Sequence, residues 1–415
     1  MTDSRGAPFA AALAGLPGIG PARLVGILGE GPPEEVWAQV RAGGIVRPGD
    51  ESGRSWSEIS RRLDPPAWWA AKAEAGIEVT WWGDDRFPPA LLDDPSPPGV
   101  LFWRGRIDVL EAPCVAIVGT RSATPEGRSV AFEIGRDLTE AGVCVISGLA
   151  LGIDGAAHAG SLRSMRDGAR VGPVGVAASG VDVPYPARHA KLWEEVAGAG
   201  AILSETVPGR PAQAWRFPLR NRIIAGLAQM VVVVESHAKG GSLITVDFAL
   251  ERGVEVRAVP GPVRSPASEG SNQLLYDGPG PVRSACDVLD GLGIFLSDPP
   301  ARHPSPGGRR RRGSGGALPG RPVQLPLSPV SSPAASAGES SASASAERPS
   351  GAAPATGTGD QSVVLEAMGG RAVTVGQIVE RVGHGPAFVF KVLEELSDAG
   401  VVEEVEGWWT RRRFQ

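Results

Sequence analysis

The chain has 415 residues, 42% of them hydrophobic, and a formal net charge of −5 at pH 7, which is enough for two or three domains with a full buried core. The acidic balance excludes a protein coated in positive field, so any contact with nucleic acid must come from local placement of Arg and Lys. Three cysteines, Cys114, Cys144 and Cys286, are too widely spaced for a metal-ligand pattern or a disulfide framework, and neither a metal nor a cofactor is expected.

The run PFAAALAGLPGIG after Arg5 is short and broken by Gly and Pro. It reads as neither a signal peptide nor a membrane span, and the expectation is a cytoplasmic protein with no membrane partner. Residues 1–66 pattern as a small helical domain in which Leu16, Ile19, Leu24 and Ile27 or Leu28 space out as a core. Its Gly18-Ile19-Gly20 turn resembles a SAM-like or helix-hairpin-helix unit, whose backbone N–H groups contact a DNA phosphate without reading sequence. The same turn also suits two packed helices with no ligand. Seven of the eleven Trp lie before residue 104 and are expected to be core. From Pro65 to Pro98 a short helix, WWAAKAEAG, and a strand, IEVTWW, lead into the main sheet as an extension.

From Cys114 onward, apolar strands alternate with helices. Residues Cys114–Val118 suit a strand covered on both faces, and Gly119 allows a sharp turn at its end. Thr124 and Pro125 suit the Ncap and N1 positions of a helix, whose free N–H groups offer a phosphate site beside Arg121. That helix places Val130, Ile134, Leu138 and Ala141 on one face and ends at Gly142. VCVIS is a second strand, followed by SGLALGIDGAAH with Asp154 as the expected Ncap. Further strands lie in VGPVGVAA, AILSE, MVVVVES and VEVRAVPG, separated by helices from about Arg188 to Gly198, in FPLRNRIIAGLA and in GGSLITVDFALERG. This alternation predicts an α/β domain over residues 67–296 with a Rossmann-like, doubly wound, mostly parallel sheet.

Residues 297–360 turn to Pro, Ser, Gly and Ala, with four arginines at Arg309–Arg312, and read as a disordered linker. Residues 361–415 pattern as a winged-helix-like domain closed by VVEEVEG and WWTRR. Lys391 stands among Glu394, Glu395 and Asp398, which favours a protein contact or a weak DNA contact there.

The first turn, GTRSATPEG, lacks the G-x-G-x-x-G of an NAD site, and the second strand ends in Ser147 where such a site needs an acid. No P-loop is present, since KGGSLIT puts Lys239 before the glycines. The turn at Gly240 resembles the late turn of phosphoribohydrolases, but Leu243 stands where that pattern has Gly. A nucleotide-cleaving enzyme is therefore the alternative reading. The five histidines are scattered, His158 reads as a packed helix residue, and no catalytic residue is expected. What remains are cations and small residues at strand ends, where open parallel sheets bind ligands: Arg121; Ser147 and Gly148; Arg220, Asn221 and Arg222; Lys239 with Gly240, Gly241 and Ser242. Arg220 and Arg222, two apart on a helix, cannot face one ligand equally.

The segments VAIVGTR, VISGLALGIDGAAH, Leu203-Ser204-Glu205, FPLRNRIIAGLA, GGSLITVDFALERG, AVPGP and EGSNQLLYDG, in that order, resemble the DNA-processing protein A family, DprA or Smf, over about Ala67 to Leu296. The resemblance implies a Rossmann-like domain that binds single-stranded DNA, dimerises, and helps load the RecA recombinase in natural transformation or recombination, without turnover. It implies a DNA pocket of Gly119, Arg121, Ser122, Ser147, Gly148, Arg220, Asn221, Arg222, Lys239 and Ser242. Leu151 stands where the family usually has Arg, which removes one phosphate contact. A protein-binding scaffold, resting on the acidic C-terminal end, is a further alternative.

Overall fold

The computed structural model describes residues 5–45, 51–294, 359–369, 373, 378, 381, 382, 384, 386–399, 401–405 and 408–411. The linker reading of 297–360, including Arg309–Arg312, lies outside the described residues except at its last two positions, where a helix, Gly359–Met368, has already begun.

Five helices open the chain: α1 (Ala7–Ala14), α2 (Pro21–Leu28), α3 (Pro33–Ala42), α4 (Glu51–Arg62) and α5 (Pro65–Glu74). Their apolar residues, among them Leu13, Leu24, Val36, Trp37, Trp56 and Trp69, share one core with Phe102 and Ile202 of the sheet and with Trp193. The tryptophans act here as large apolar bodies, and the indole N–H of buried Trp56 donates to the Pro17 carbonyl at 2.8 Å, tying the Gly18 turn to α4. The expected boundary at residues 66/67 falls inside α5, so the helical layer runs without a break into the sheet.

The sheet has nine strands: β1 (Glu78–Trp81), β2 (Val100–Gly105), β3 (Cys114–Val118), β4 (Cys144–Ser147), β5 (Val174–Val176), β6 (Ala201–Ser204), β7 (Met230–Val233), β8 (Glu255–Ala258) and β9 (Gly280–Pro281). Their order is β1-β2-β6-β5-β4-β3-β7-β8-β9. From β6 to β9 all pairings are parallel, while β1 and β2 add an antiparallel edge, the extension expected from IEVTWW. Between β3 and β7 the order reverses, which is the topological switch point of a doubly wound sheet.

The helices that follow are α6 (Pro125–Glu140), α7 (Ile153–Arg166), α8 (Ala190–Ala199), α9 (Arg216–Leu227), α10 (Leu243–Glu251), α11 (Glu269–Asp277) and α12 (Ala285–Gly291). Alternation along the strands decides which helices each face meets. Val115, Ile117, Val145 and Val232 pack with Ile134 and Leu138 of α6, Ala157 of α7 and Val288 of α12. Ala116, Val118, Ile146, Val231 and Val233 pack with Ile223 and Ile224 of α9 and Phe248 of α10. Both faces are therefore covered, as the unbroken apolar strands require.

At the C-terminal end, α13 (Gly359–Met368), α14 (Pro386–Asp398) and an antiparallel pair, β10 (Val402–Val405) with β11 (Trp408–Arg411), enclose a small core of Val364, Met368, Val389, Leu393 and Trp409. Among the described residues no helix is long and apolar enough to cross a membrane.

Helices α6 and α7 meet through glycine. A Cβ on Gly160 would overlap the Phe132 carbonyl, and one on Gly135 would overlap the Ala157 carbonyl. Thr139 and Ser161 share a 2.6 Å hydrogen bond across the same contact. Gly160→Ala should therefore force the two helices apart and destabilise the fold by about 1–3 kcal/mol, read from the midpoint of denaturant unfolding. An unchanged midpoint would show that the contact can relax.

Candidate nucleic-acid interface

The first turn of the parallel sheet is built as the sequence suggests, but its helix start is already occupied. Thr124 caps α6, its Oγ1 accepting from the Gly127 N–H at 3.0 Å. The carboxylate of Glu235, just past β7, accepts from the Thr124 N–H at 2.9 Å and from the Thr124 hydroxyl at 2.6 Å. Glu235 is buried. The expected phosphate site at this helix start is thus corrected: a carboxylate of the chain fills it, because the turn after β7 lies directly across the switch point.

The exposed chemistry lies one strand over, at the turn between β4 and α7. Asp154 is not the Ncap of α7. That position belongs to Gly152, whose φ of 82° favours glycine and whose Cβ would overlap the Thr120 carbonyl. Asp154 instead reaches back to accept from the N–H groups of Gly148 at 3.1 Å and Ala150 at 3.4 Å, fixing the turn. Leu149, with φ of 60°, is the one non-glycine residue in the left-handed region among the described residues. His189 Nδ1 lies 2.9 Å from the Leu149 carbonyl.

Behind this turn lies Arg220 of α9, 6% exposed. Its Nη1 donates to the Val176 carbonyl at 2.6 Å, while its Nε has no hydrogen-bond partner among the described residues. A side chain at Gly148 would overlap the guanidinium, so Gly148 leaves it room. Burial lowers the Arg220 pKa to about 10, with Asp154 opposing the shift and Arg121 adding to it. It therefore stays charged at neutral pH. Burial raises the pKa of Asp154, against the pull of Arg220.

In front of the turn is a small cleft of about 90 Å³ lined by Arg121, Gly148, Ala150, Leu151, Tyr185, Pro186 and Phe217. The Arg121 guanidinium lies 4.9 Å from the centre of the Phe217 ring. Tyr185, 45% exposed, stands 5.4 Å from that ring with the planes tilted by 53°. A cation and two aromatic rings thus converge at one opening, and Leu151 gives an apolar wall where an arginine would have added charge.

Of the residues expected to line a groove, Arg121 and Gly148 meet at this cleft, with Arg220 directly behind. Gly119 lies below, held close to Ile153 and the Glu235 carbonyl, and Ser122 is exposed beside Arg121. Lys239 is exposed on the turn before α10. There Ser242 donates to Ser236 at 2.9 Å, and the Asn221 side chain reaches the Gly241 carbonyl at 3.4 Å. Ser147 and Arg222 are turned inward, which corrects the expectation for both. The Ser147 hydroxyl donates to the Ile117 carbonyl at 2.6 Å. Arg222 pairs with Glu205 at 2.6 Å and donates to the Ser96 carbonyl at 2.9 Å. Two positions on a helix differ by about 200°, so Arg220 and Arg222 point to opposite sides. Sequence reasoning missed Glu235, Phe217 and Tyr185. An acid directly after an all-apolar strand, at its carboxyl end, was the available signal for Glu235.

The fold and this opening at the strand ends define a Rossmann-like protein with a cleft lined by a cation and aromatic rings. The model of the family described as DNA recombination-mediator protein A matches residues 78–293, and the chain belongs to that family. The DNA processing protein DprA of Bacillus subtilis is 38% identical over 224 residues, 54% of this chain and 74% of that protein. DprA of Streptococcus pneumoniae is 37% identical over 206 residues, 50% of this chain and 71% of that protein. The X-ray structure of DprA from Streptococcus pneumoniae superposes with a TM-score of 0.58 at 30% identity, covering 70% of this chain and 98% of that one.

Beneath the cleft, His158 of α7 is fully buried. Burial lowers its pKa to about 3, the adjacent Ser147 backbone opposing and the charges of His189 and Arg220 assisting. The folded pKa lies below the unfolded value near 6.5. The unfolded chain therefore binds the proton first, and stability is lost as pH falls through the window from 6.5 towards 3. His158→Leu should reduce the loss of stability between about pH 6.5 and 4.5 by about 2 kcal/mol, measured by denaturant unfolding. Parallel pH profiles for the two proteins would contradict this assignment.

Proposed function

We propose that this chain is a single-stranded DNA-binding recombination mediator that holds the strand at the Arg121 cleft. The observation that carries the reading is the Arg121 guanidinium lying over Phe217 beside exposed Tyr185, with buried Arg220 behind Gly148. A single strand offers what this opening can hold: phosphates for the cations and unpaired base faces for the rings. A duplex keeps its base faces stacked. Lys239, on the neighbouring turn, extends the cationic path. Membership of a recombination-mediator family supports the role, and loading of RecA recombinase in natural transformation or recombination is the activity the reading carries with it.

Homodimerisation belongs to the same proposal. Val263 and Tyr276 are 93% and 88% exposed, and Asn272 joins their two segments through paired hydrogen bonds of 3.1 Å to the backbone of Gly261. A nucleotide-cleaving enzyme has less support, because Glu235 fills the crevice where a small nucleotide would place its phosphate. The exposed cations favour binding, and among the described residues the lining of the Arg121 cleft includes no Asp or Glu.

Neutralising three to five phosphates should make log affinity for a labelled oligonucleotide fall with log salt at a slope of about −2 to −3.5. Arg121→Ala should weaken all sequences alike by about tenfold or more and flatten that slope by about 0.7. Phe217→Ala should lose about 1–3 kcal/mol of binding with the slope unchanged. Salt-independent binding, or equal affinity for blunt duplex, would overturn the reading.

A further inference from the structure

In open parallel sheets the switch-point crevice is where a phosphate sits on the N-terminus of the following helix. In this chain the place is closed from three sides. The Glu235 carboxylate takes the Thr124 N–H and hydroxyl. Gly127 lacks the Cβ that would overlap that carboxylate, so the helix keeps space for it. On the near side, the Thr120 N–H donates to the Glu235 carbonyl at 2.7 Å, and a Cβ on Gly119 would come within 2.7 Å of the same oxygen. Behind it stands α6, 16 residues long, with its positive dipole end on the carboxylate.

We infer that Glu235 determines specificity: its carboxylate occupies the phosphate position of the crevice, so that free mononucleotides are excluded and do not compete with a DNA strand. An entering phosphate would have to displace a tethered anion and meet its charge. A nucleoside monophosphate presents a terminal phosphate of charge near −2, the group such a helix start accepts best. A DNA strand offers monoanionic diesters flanked by sugars, which suit the open Arg121 cleft and not a closed crevice. The identity of the excluded competitor follows from the fold alone, while the benefit to strand binding rests on the function proposed above.

Thermal unfolding of the full chain in inorganic phosphate and in chloride at matched ionic strength tests this directly. Phosphate stabilises most proteins somewhat by exclusion from their surface, so wild type supplies the baseline. Glu235→Ala should melt lower than wild type and gain about 3 °C or more beyond that baseline at about 50 mM phosphate. Adding Thr124→Val to Glu235→Ala should abolish the extra gain. An equal gain in Glu235→Ala and wild type would overturn the inference. A second measurement needs no variant: AMP at about 5 mM should leave the oligonucleotide affinity of wild type within about twofold at constant ionic strength. Competition by AMP that Thr124→Val removes would overturn the inference as well. Failure of the oligonucleotide itself to bind would instead strike the proposed function and leave the phosphate test standing.

Discussion

One carboxylate at the start of one helix sets the arrangement of everything around it. Glu235, buried between β3 and β7, satisfies the first donors of α6 through Thr124. An N-terminal cap contributes about 1 kcal/mol, and a partly buried anion at a helix start up to about 2 kcal/mol. The larger consequence is spatial. With the switch point closed by the chain itself, the free chemistry of the sheet moves across β3 to the turn after β4. There Gly148, Leu149 and Gly152 bring backbone, cation and aromatic rings to one opening.

That opening also shows how an acidic chain can gather cations at one place. Arg220 is buried and charged, its Nη1 bonded to one carbonyl and its Nε without a partner among the described residues. A buried charge is screened by salt much less than a surface one. Asp154 compensates it from a distance while its Oδ2 accepts from both the Gly148 and Ala150 N–H groups. The net charge of −5 is spread over the chain, whereas Arg121 and Arg220 are concentrated at a strand end. Local placement decides the potential that a ligand meets there.

Much of this was legible from residue order. The runs Cys114–Val118 and Met230–Val233 are buried on both faces, as their unbroken apolar character requires, and the parallel order follows from the helices between them. The two-residue offset of Arg220 and Arg222 already implied divergent directions, and the structure sends them to Val176 and Glu205. Other features could not be read. Ser147 ends a strand, and only the packed sheet shows that its hydroxyl turns to the Ile117 carbonyl. Asp154 looked like a cap because Asp before a helix usually is one, but Gly152, with its positive φ, caps α7 two residues earlier. Thr124 and Glu235 are 111 positions apart, and no local pattern links an Ncap to an acid on another strand. The pairing of Tyr185 with Phe217 is hidden for the same reason, since each lies in a loop or helix start that reads as ordinary on its own.

In the proposed complex a single strand lies across Arg121, Tyr185 and Phe217. Photo-crosslinking with an oligonucleotide carrying 5-iodo-deoxyuridine, followed by mass spectrometry of the tryptic peptides, tests it most directly. The account predicts crosslinks on the peptides that contain Tyr185 and Phe217, suppressed by unlabelled single strand and by high salt. Crosslinks confined to the N-terminal helices or to the C-terminal hairpin, with none at these two rings, would contradict it.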